Sequence, residues 1–239
     1  MLIDPVQAYD LISPQFPRLA QQRKRYLDTI DELIVNRVAG SRSLLDVGAG
    51  DGSRTTKIAT EGNIESVVLL EPSREMARRS VEPREVWAIR AEELDGDLEF
   101  SSRRFDAIIC LWNVLGHIRP ASARLQVLSH LRKMLSSSGK LFVDVNHRYN
   151  ARTYGNCRSA LRFLYDRIRS SERNGDVTAR WTFGDMRCAT YGHVFTDGEM
   201  RQLSSQAGLK VKERIAVDYD TGKVTRSIYH GNLLYVLRP

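Results

Sequence analysis

The run from Leu44 to Gly52 constrains the fold of this chain more than any other segment, because three alternate glycines directly follow a short apolar stretch. A strand that ends in such glycines brings bare backbone against a ligand, and the next helix directs its N-terminal N–H groups there. A P-loop would need Lys-Ser or Lys-Thr after the glycines, and a dinucleotide loop would have glycine where Ser53 stands. Asp46, two residues before Gly48, also disfavours a phosphate and indicates a cationic ligand.

Short apolar runs alternate with polar helical stretches in the middle of the chain, the pattern of a parallel sheet covered by helices. The runs are rich in Val, Ile and Leu without clear alternation, which is typical of strands buried on both faces. We predict an α/β fold with a mostly parallel sheet of seven strands and helices on both faces. The predicted strands are residues 43–47, 67–71, 86–90, 105–111, 140–145, 209–217 and 233–237. The predicted core helices are residues 53–60, a segment from Pro72 that contains Met76, 122–135 and 196–208.

Two segments interrupt this alternation. A helix is predicted over residues 15–39, and residues 148–195 stand where the next helix and strand of the sheet would be expected. The second segment contains a predicted helix near 158–170 and two β-like runs. No linker or repeat separates the parts, so we predict a single domain. Its expected parts are a helical lid (1–40), a ligand-binding core (41–147), an inserted substrate cap (148–195), and a closing helix with strands (196–239).

Positive charge is concentrated in the inserted segment. The chain has 36 Lys+Arg and 29 Asp+Glu, a formal net charge of +7, and residues 148–190 hold nine arginines, no lysine and four acids. Because the positive charge lies in one segment of an otherwise neutral chain, a basic surface that binds nucleic acid over the whole protein is not indicated. On the predicted helix of this segment, apolar residues share one face and arginines the other, and we expect the apolar face to pack. The apolar set is Ala160, Leu161, Leu164 and Ile168, and the basic set is Arg158, Arg162 and Arg169. An inward basic face would bind an anionic acceptor, whereas an outward one would be a solvated surface.

Cysteine spacing and hydropathy bear on the compartment. The three cysteines are isolated from one another and from His in any metal-ligand spacing, which fits a reducing compartment and no metal. The longest apolar stretches, 67–70 and 107–112, are too short to cross a bilayer, and the N-terminus lacks the order of a signal peptide. We therefore predict a cytoplasmic protein with no metal and no membrane partner.

The chain resembles the class I S-adenosylmethionine-dependent methyltransferases, whose first motif has the form Asp-x-Gly-x-Gly-x-Gly found at residues 46–52. Further matches follow in order: Glu71 at the end of the second strand, Ala91-Glu92 after the third, Phe105 to Ile109 in the fourth, and residues 131–145 and 191–208. The likeness is strong over about 40–145 and loose over 190–239. It implies a Rossmann-like sheet and S-adenosylmethionine as cofactor, with S-adenosylhomocysteine as product.

The resemblance also implies roles for individual residues. Glu71 would hold the ribose hydroxyls, and Glu92 or its neighbour Glu93 would lie near the adenine amine. From the N-terminal lid, Tyr9 would close on the methionyl end and Arg25 would bind its carboxylate. The expected cofactor contacts are Asp46, Gly48, Ala49, Gly50, Glu71, Pro72, Met76, Ala91, Glu92, Leu111, Trp112, Tyr9 and Arg25.

Methyl transfer is an in-line displacement at a sulfonium, so the protein mainly supplies proximity, and a base is needed only if the acceptor loses a proton. Ligands of open α/β sheets bind beyond the carboxyl ends of the strands, which indicates the loop after the fourth strand. There His117 is the foremost candidate for a general base or an acceptor-orienting group, the alternative being a structural hydrogen bond within the turn. Tyr191 and His193 are further catalytic candidates. The expected acceptor contacts are Asn113, His117, Asn146, His147, Arg158, Arg162 and Tyr191.

We predict a methyltransferase that acts on an N or O atom of a small, anionic or polar metabolite. An RNA-modifying methyltransferase is one alternative, with arginines of the insertion on phosphates. Nucleic acid is the less favoured partner, because the chain has Leu-Trp-Asn-Val where base-amino methyltransferases have Asn-Pro-Pro-Tyr or Asp-Pro-Pro-Tyr. A protein that binds the cofactor without transferring the methyl group is the other alternative, since the motif residues bear only on binding.

Overall fold

The computed structural model describes residues 2–80, 85–96, 100, 102–183 and 186–239. Within them, the strands are β1 (Ser43–Val47), β2 (Ser66–Leu70), β3 (Glu85–Trp87), β4 (Phe105–Cys110), β5 (Leu135–Val145), β6 (Asp176–Phe183), β7 (Met186–His193), β8 (Lys210–Val217), β9 (Val224–Thr225) and β10 (Asn232–Arg238). Eight of them form one sheet in the order β3-β2-β1-β4-β5-β10-β8-β9, and β6 and β7 form a separate hairpin. Strands β1 to β5 pair in parallel, whereas β10 is antiparallel to both its neighbours and β9 to β8.

Helices cover both faces of this sheet. They are α1 (Pro5–Ile12), α2 (Phe16–Gln22), α3 (Lys24–Val35), α4 (Ser53–Glu61), α5 (Arg74–Ala77), α6 (Ala121–Met134), α7 (Ala151–Tyr154), α8 (Asn156–Ile168) and α9 (Asp197–Gln206). Along β1, Leu45 packs into a hydrophobic cluster with α6, while Leu44 packs into a second cluster with α3 and α4. Successive side chains of a strand point to opposite faces, which produces these two layers. The predicted α/β fold with a mostly parallel sheet is confirmed.

The sheet differs from the prediction in its strand count, which is eight in the described residues instead of seven. The additional strand, β9, has only two residues and pairs with the end of β8. A two-residue strand is too short to leave a hydrophobic pattern in the sequence. Strand bounds also shift, most clearly those of β3, which begins at Glu85 and ends at Trp87, and of β5, which begins at Leu135.

The N-terminal segment forms three helices instead of the predicted helix over 15–39. Helix α1 begins after Asp4, whose carboxylate accepts a hydrogen bond from the Val6 N–H at 2.9 Å. Pro14 lies in the junction between α1 and α2, and Pro17 lies in the first turn of α2, where a missing N–H is tolerated. Arg23, with φ −111° and ψ 11°, separates α2 from α3.

The segment between β5 and α9 contains α7, α8 and the β6–β7 hairpin. The N-terminus lies beside this hairpin, because Ile3 forms a parallel bridge with Thr190 of β7. Ala8 and Ile12 of α1 pack with Cys188 in a small separate core. None of the helices in the described part of the chain is both long enough and apolar enough to span a membrane.

Helix α8 presents its apolar face to solvent, so the prediction that this face packs is wrong. Leu161, Leu164 and Ile168 are 66%, 55% and 80% exposed. The opposite side meets the body of the protein through Asp166, whose carboxylate pairs with Arg148 at 3.1 Å. Helical spacing shows which residues share a face, but this polar anchor decides which face turns inward.

Candidate active site

A pocket opens at the carboxyl ends of β1, β2 and β4, between the glycine loop and α1. Among the predicted cofactor contacts, those that line it are Tyr9, Asp46, Gly48, Ala49, Gly50, Glu71, Pro72, Ala91, Glu92, Leu111 and Trp112. Met76 is fully buried beneath the loop, with its methyl carbon 3.2 Å from where a Cβ on Gly50 would stand. Arg25 is exposed and is not brought to this pocket.

The glycine loop needs its glycines for backbone geometry. Gly48, Gly50 and Gly52 have φ values of 73°, 60° and 71°, a left-handed region that disfavours side chains. At Gly48 a Cβ would stand 2.6 Å from a methyl carbon of Val114. The loop is held by hydrogen bonds from the N–H groups of residues 48 and 49 to the Leu70 carbonyl oxygen. Its bare backbone therefore forms one wall of the pocket.

Two buried carboxylates form the acidic side of the pocket. Glu71 accepts hydrogen bonds from the Gly50 N–H at 2.7 Å and the Ser73 N–H at 2.8 Å. Burial raises the pKa of Glu71 to about 7. Asp46 accepts a hydrogen bond from the Thr55 hydroxyl at 2.5 Å, and burial raises its pKa to about 6. Negative charge at this position favours a cationic ligand.

The structure distinguishes between the two neighbouring acids after β3. Glu93 is exposed and accepts a hydrogen bond from the Arg90 N–H at 2.8 Å, which closes the turn. Glu92 is half-buried and lines the pocket. Of the pair, Glu92 is therefore the carboxylate available to a ligand.

Arg54 is a pocket residue that the sequence interpretation missed. It lies in the first turn of α4 and donates to the buried Asp31 carboxylate from Nε at 2.9 Å and from Nη2 at 2.6 Å. The nearby acids raise the pKa of Arg54 against the opposing effect of burial. A signal for it existed, because Asp31 interrupts the apolar stripe of α3 and so required a buried cation.

His117 and Tyr9 meet at the opposite end of the pocket. The Tyr9 hydroxyl lies 3.2 Å from His117 Nε2, and His117 Nδ1 lies 2.9 Å from the Tyr191 carbonyl oxygen. A carbonyl oxygen only accepts, so Nδ1 carries the hydrogen and Nε2 accepts from Tyr9. Burial lowers the pKa of His117 and raises that of Tyr9. At neutral pH the site thus holds an uncharged imidazole whose Nε2 lone pair accepts from the Tyr9 hydroxyl at the pocket lining.

A strained turn holds this end of the pocket together. Trp112 and Asn113 have φ values of 54° and 64°, which are uncommon for residues other than glycine. The buried Asp144 carboxylate accepts hydrogen bonds from the Trp112 N–H at 3.1 Å and from the Tyr26 hydroxyl at 2.5 Å. The Trp112 indole N–H donates to the Tyr219 hydroxyl at 3.1 Å. Asp144 and Tyr26 therefore connect α3 to the loop after β4.

Asn113, Asn146 and His147 are buried or half-buried, and none of them lines the pocket. The Asn113 amide donates to the His193 carbonyl oxygen at 3.1 Å and accepts from the Asn146 N–H at 3.0 Å. The His147 N–H donates to Asn232 at 3.2 Å. These side chains connect the loops around the site, so the structure does not place them against an acceptor.

His193 and Tyr191 also lie outside the pocket lining. The His193 ring is fully buried, with Nδ1 2.8 Å from Asp176 and Nε2 2.7 Å from Glu199. The Tyr191 hydroxyl donates to Asp176 at 2.8 Å, and only its backbone carbonyl reaches His117. The side chains of His193 and Tyr191 therefore form hydrogen bonds that hold the β6–β7 hairpin in place.

The two arginines expected at the acceptor are not in the pocket either. Arg158 is exposed on α8. Arg162 stacks on the Tyr154 ring, with the guanidinium carbon 4.6 Å from the ring centroid. A basic face turned toward an acceptor is therefore not observed at these positions.

Comparison with known proteins agrees with this geometry. The family model for a methyltransferase domain matches residues 16–214. A S-adenosylmethionine-dependent methyltransferase from Clostridium acetobutylicum is 13% identical, with a TM-score of 0.65 over 94% of this chain and 98% of that one. A sugar N-methyltransferase from Streptoalloteichus is 16% identical, with a TM-score of 0.62 over 94% and 93%. An amino pentose methyltransferase from Micromonospora echinaspora, solved with S-adenosylmethionine, is 15% identical, with a TM-score of 0.62 over 94% and 96%. No curated protein matches the chain in sequence.

Proposed function

The chain belongs to the S-adenosylmethionine-dependent methyltransferases with the class I fold, and from this premise we propose that it methylates an amine nitrogen of a small, polar metabolite. The observation that carries the proposal is the neutral His117 imidazole, whose Nε2 faces the pocket beside the Tyr9 hydroxyl. A neutral imidazole can accept the proton of an ammonium acceptor before transfer or of the methylated ammonium after it. Histidine can also act as a base toward a hydroxyl, so we favour nitrogen over oxygen because of the aromatic lining of the pocket.

The cofactor fits the residues present. A Cβ at Gly48 would press on Val114 and one at Gly50 on Met76 and Phe16, so the loop must present bare backbone at the pocket. We propose that Glu71 binds the ribose hydroxyls, that Glu92 binds near the adenine, and that Asp46 lies on the side of the cationic sulfur. When bound, S-adenosylmethionine supplies an electrophilic methyl group on a sulfonium.

Arg54 takes the role first expected of Arg25. Arg54 lines the pocket, and Asp31 holds its guanidinium in a defined orientation. Arg25 is solvent-exposed. We therefore propose Arg54 as the cation for the carboxylate of the methionyl moiety.

The aromatic lining favours cationic ligands over anionic ones. Tyr9, Phe16 and Trp112 line the pocket, and the Phe16 and Trp112 ring centroids lie 5.6 Å apart. Aromatic faces attract sulfonium and ammonium groups. Because Arg158 and Arg162 lie elsewhere, the proposal does not retain the anionic acceptor. The amine substrates named for two of the similar structures support a nitrogen acceptor.

We further propose that the chain acts as one domain in which α1 is a lid. The Asp10 carboxylate of α1 accepts a hydrogen bond from the Ser73 hydroxyl at 2.6 Å, just after β2. At the start of the same helix, Asp4 accepts from Arg90 at 2.6 Å, just after β3. These two contacts join the helix to the loops that carry Glu71 and Glu92. Release of both would open the pocket.

An acceptor screen tests the proposed reaction. Amines, hydroxylated compounds, carboxylates and tRNA are each incubated with S-adenosylmethionine, and the methylated product and S-adenosylhomocysteine are measured by mass spectrometry. We expect turnover with an amine, and His117→Asn should lower kcat by roughly 10²–10⁴-fold while leaving the Kd of S-adenosylhomocysteine unchanged. His230→Asn, at an exposed site outside the pocket, is the matched control. Methylation of tRNA alone, or near-normal turnover by His117→Asn, would contradict the proposal.

A further inference from the structure

Helix α8 carries a stripe of large apolar side chains that project into solvent. The stripe consists of Leu161, Leu164, Tyr165 and Ile168, which are 66%, 55%, 53% and 80% exposed. Spacings of three and four residues place them on one side of the helix. Isolated exposed apolar residues are ordinary, but four neighbours on one ridge indicate a surface that something covers.

The orientation of the helix is fixed by contacts on its other side. Asp166 accepts hydrogen bonds from the Tyr149 hydroxyl at 2.6 Å and from Arg148 Nη1 at 3.1 Å. The Asn174 amide donates to the same carboxylate at 2.9 Å. Phe163 packs edge-on against the Tyr149 ring, with centroids 5.4 Å apart. The stripe therefore faces outward because its opposite side is bound to the body.

Arginines border the stripe along both of its long edges. Arg158 lies on one side and Arg167 on the other, Arg169 directly follows the last helical residue, and all three are exposed. Asp166 is the helix's only acid within Asn156–Ile168, a segment described completely, and it is turned inward. The exposed side of α8 thus combines an apolar centre with positive edges and no negative charge.

This charge pattern distinguishes between the binding partners that could cover the stripe. A second copy of the chain packed about a two-fold axis would bring arginine edges against arginine edges. An apolar ridge between basic edges matches an anionic lipid surface, where acyl chains receive the ridge and headgroups meet the arginines.

We propose that α8 binds the surface of an anionic membrane, lying flat in the headgroup region with Leu161, Leu164 and Ile168 inserted. This proposal replaces the sequence prediction of no membrane partner, which considered only segments that cross a bilayer and a signal peptide. Thirteen residues give a helix of about 20 Å, which suits a position along the surface. Tyr165, at the edge of the stripe, places its ring at the boundary between apolar and polar regions. The proposal does not rest on the proposed reaction, because none of these side chains lines the active-site pocket.

Vesicle sedimentation with the full chain tests this surface. Vesicles of phosphatidylcholine alone are compared with vesicles of phosphatidylcholine and phosphatidylglycerol at about 3:1. We expect binding to the anionic vesicles only, and weaker binding as salt rises, because headgroup attraction is screened. The double variant Leu161→Asp/Ile168→Asp should lower the partition coefficient more than tenfold. Arg167→Glu/Arg169→Glu should lower it by about fivefold or more for each arginine.

Matched variants separate membrane binding from loss of folding. Ile168→Leu keeps the apolar character, and Lys133→Glu changes an exposed charge on α6, so both should bind vesicles like the wild type. Circular dichroism and S-adenosylhomocysteine affinity should be unchanged in every variant. Equal retention by neutral and anionic vesicles, or full binding by the Asp or Glu variants, would overturn the proposal. A dimer that Leu161→Asp/Ile168→Asp dissociates would assign the stripe to a second copy and would also overturn it.

Discussion

Replacement of Glu71 by glutamine is the sharpest test of how the cofactor site is built. The side chain keeps its size, but one carboxylate oxygen becomes an amide NH2. In the wild type both oxygens accept backbone hydrogen bonds, from the Gly50 N–H at 2.7 Å and the Ser73 N–H at 2.8 Å. The variant therefore sets a donor against one of these N–H groups. The loop must either lose that hydrogen bond or move.

The expected loss of cofactor affinity follows from these two contacts. A buried N–H without an acceptor costs about 1–3 kcal/mol, and a hydrogen bond to a charged group contributes roughly 1.5–3 kcal/mol. The loop contact and the ligand contact share one side chain, so the effects do not fully add, and we expect a loss of about 2–4 kcal/mol. This corresponds to a Kd for S-adenosylhomocysteine that is roughly 30- to 900-fold higher.

Titration calorimetry with S-adenosylhomocysteine measures this loss directly. Glu75→Gln is the matched control, because Glu75 is an exposed acid four residues later whose partner is Arg78. Its Kd should remain that of the wild type. A folded Glu71→Gln protein with a Kd within about threefold of the wild type would refute the reasoning, since neither the loop nor the ligand could then depend on the carboxylate.

Three further outcomes are expected. Because its pKa is near 7, Glu71 gains negative charge between pH 6 and pH 8. Calorimetry should therefore show that the affinity for S-adenosylmethionine rises over this range more than the affinity for S-adenosylhomocysteine, a ligand without the sulfonium charge. An equal change for both ligands would contradict this. Arg90→Ala removes the half-exposed ion pair with Asp4 and should speed S-adenosylhomocysteine dissociation by up to about fivefold in stopped-flow displacement; an unchanged rate would argue against a lid. His193→Gln should lower the free energy of unfolding by about 1–3 kcal/mol in denaturant titrations, because the buried ring loses its hydrogen bonds to Asp176 and Glu199 while Glu199 keeps its ion pair with Arg148, and cofactor affinity should be retained; loss of affinity without loss of stability would instead indicate a role for His193 in the active site.

The glycine-loop side of the pocket could be predicted because its determinants are local. Gly48 and Gly50 need left-handed backbone, and Asp46 and Glu71 stand at the ends of neighbouring parallel strands. Parallel strands bring their carboxyl ends to one edge, so strand order along the chain is enough to assemble these residues. His117 was found for the same reason, as part of the loop after β4.

The acceptor side could not be predicted in the same way, because it depends on how segments from distant parts of the chain pack together. His193 and Tyr191 are polar residues near the expected place, yet their rings bind Asp176 and Glu199 rather than the pocket. Arg25 was predicted at the pocket and Arg54 was missed, because the sequence does not show which side chains of α3 and α4 pack against each other. Asp144 belongs to none of the sequence motifs, although its carboxylate accepts a hydrogen bond from the strained turn at Trp112.

The amino-acid sequence alone determined the fold class, the cofactor loop and the acids that surround it, since each follows from hydrophobic period or backbone conformation within a few residues. Only the tertiary structure decided which side of α8 faces solvent, which arginine reaches the pocket, and which histidine lines it. These outcomes depend on partners remote in sequence, such as Asp166 with Arg148 and Tyr9 with His117. Burial and pairing of a side chain are properties of that packing, and a one-dimensional pattern does not contain them.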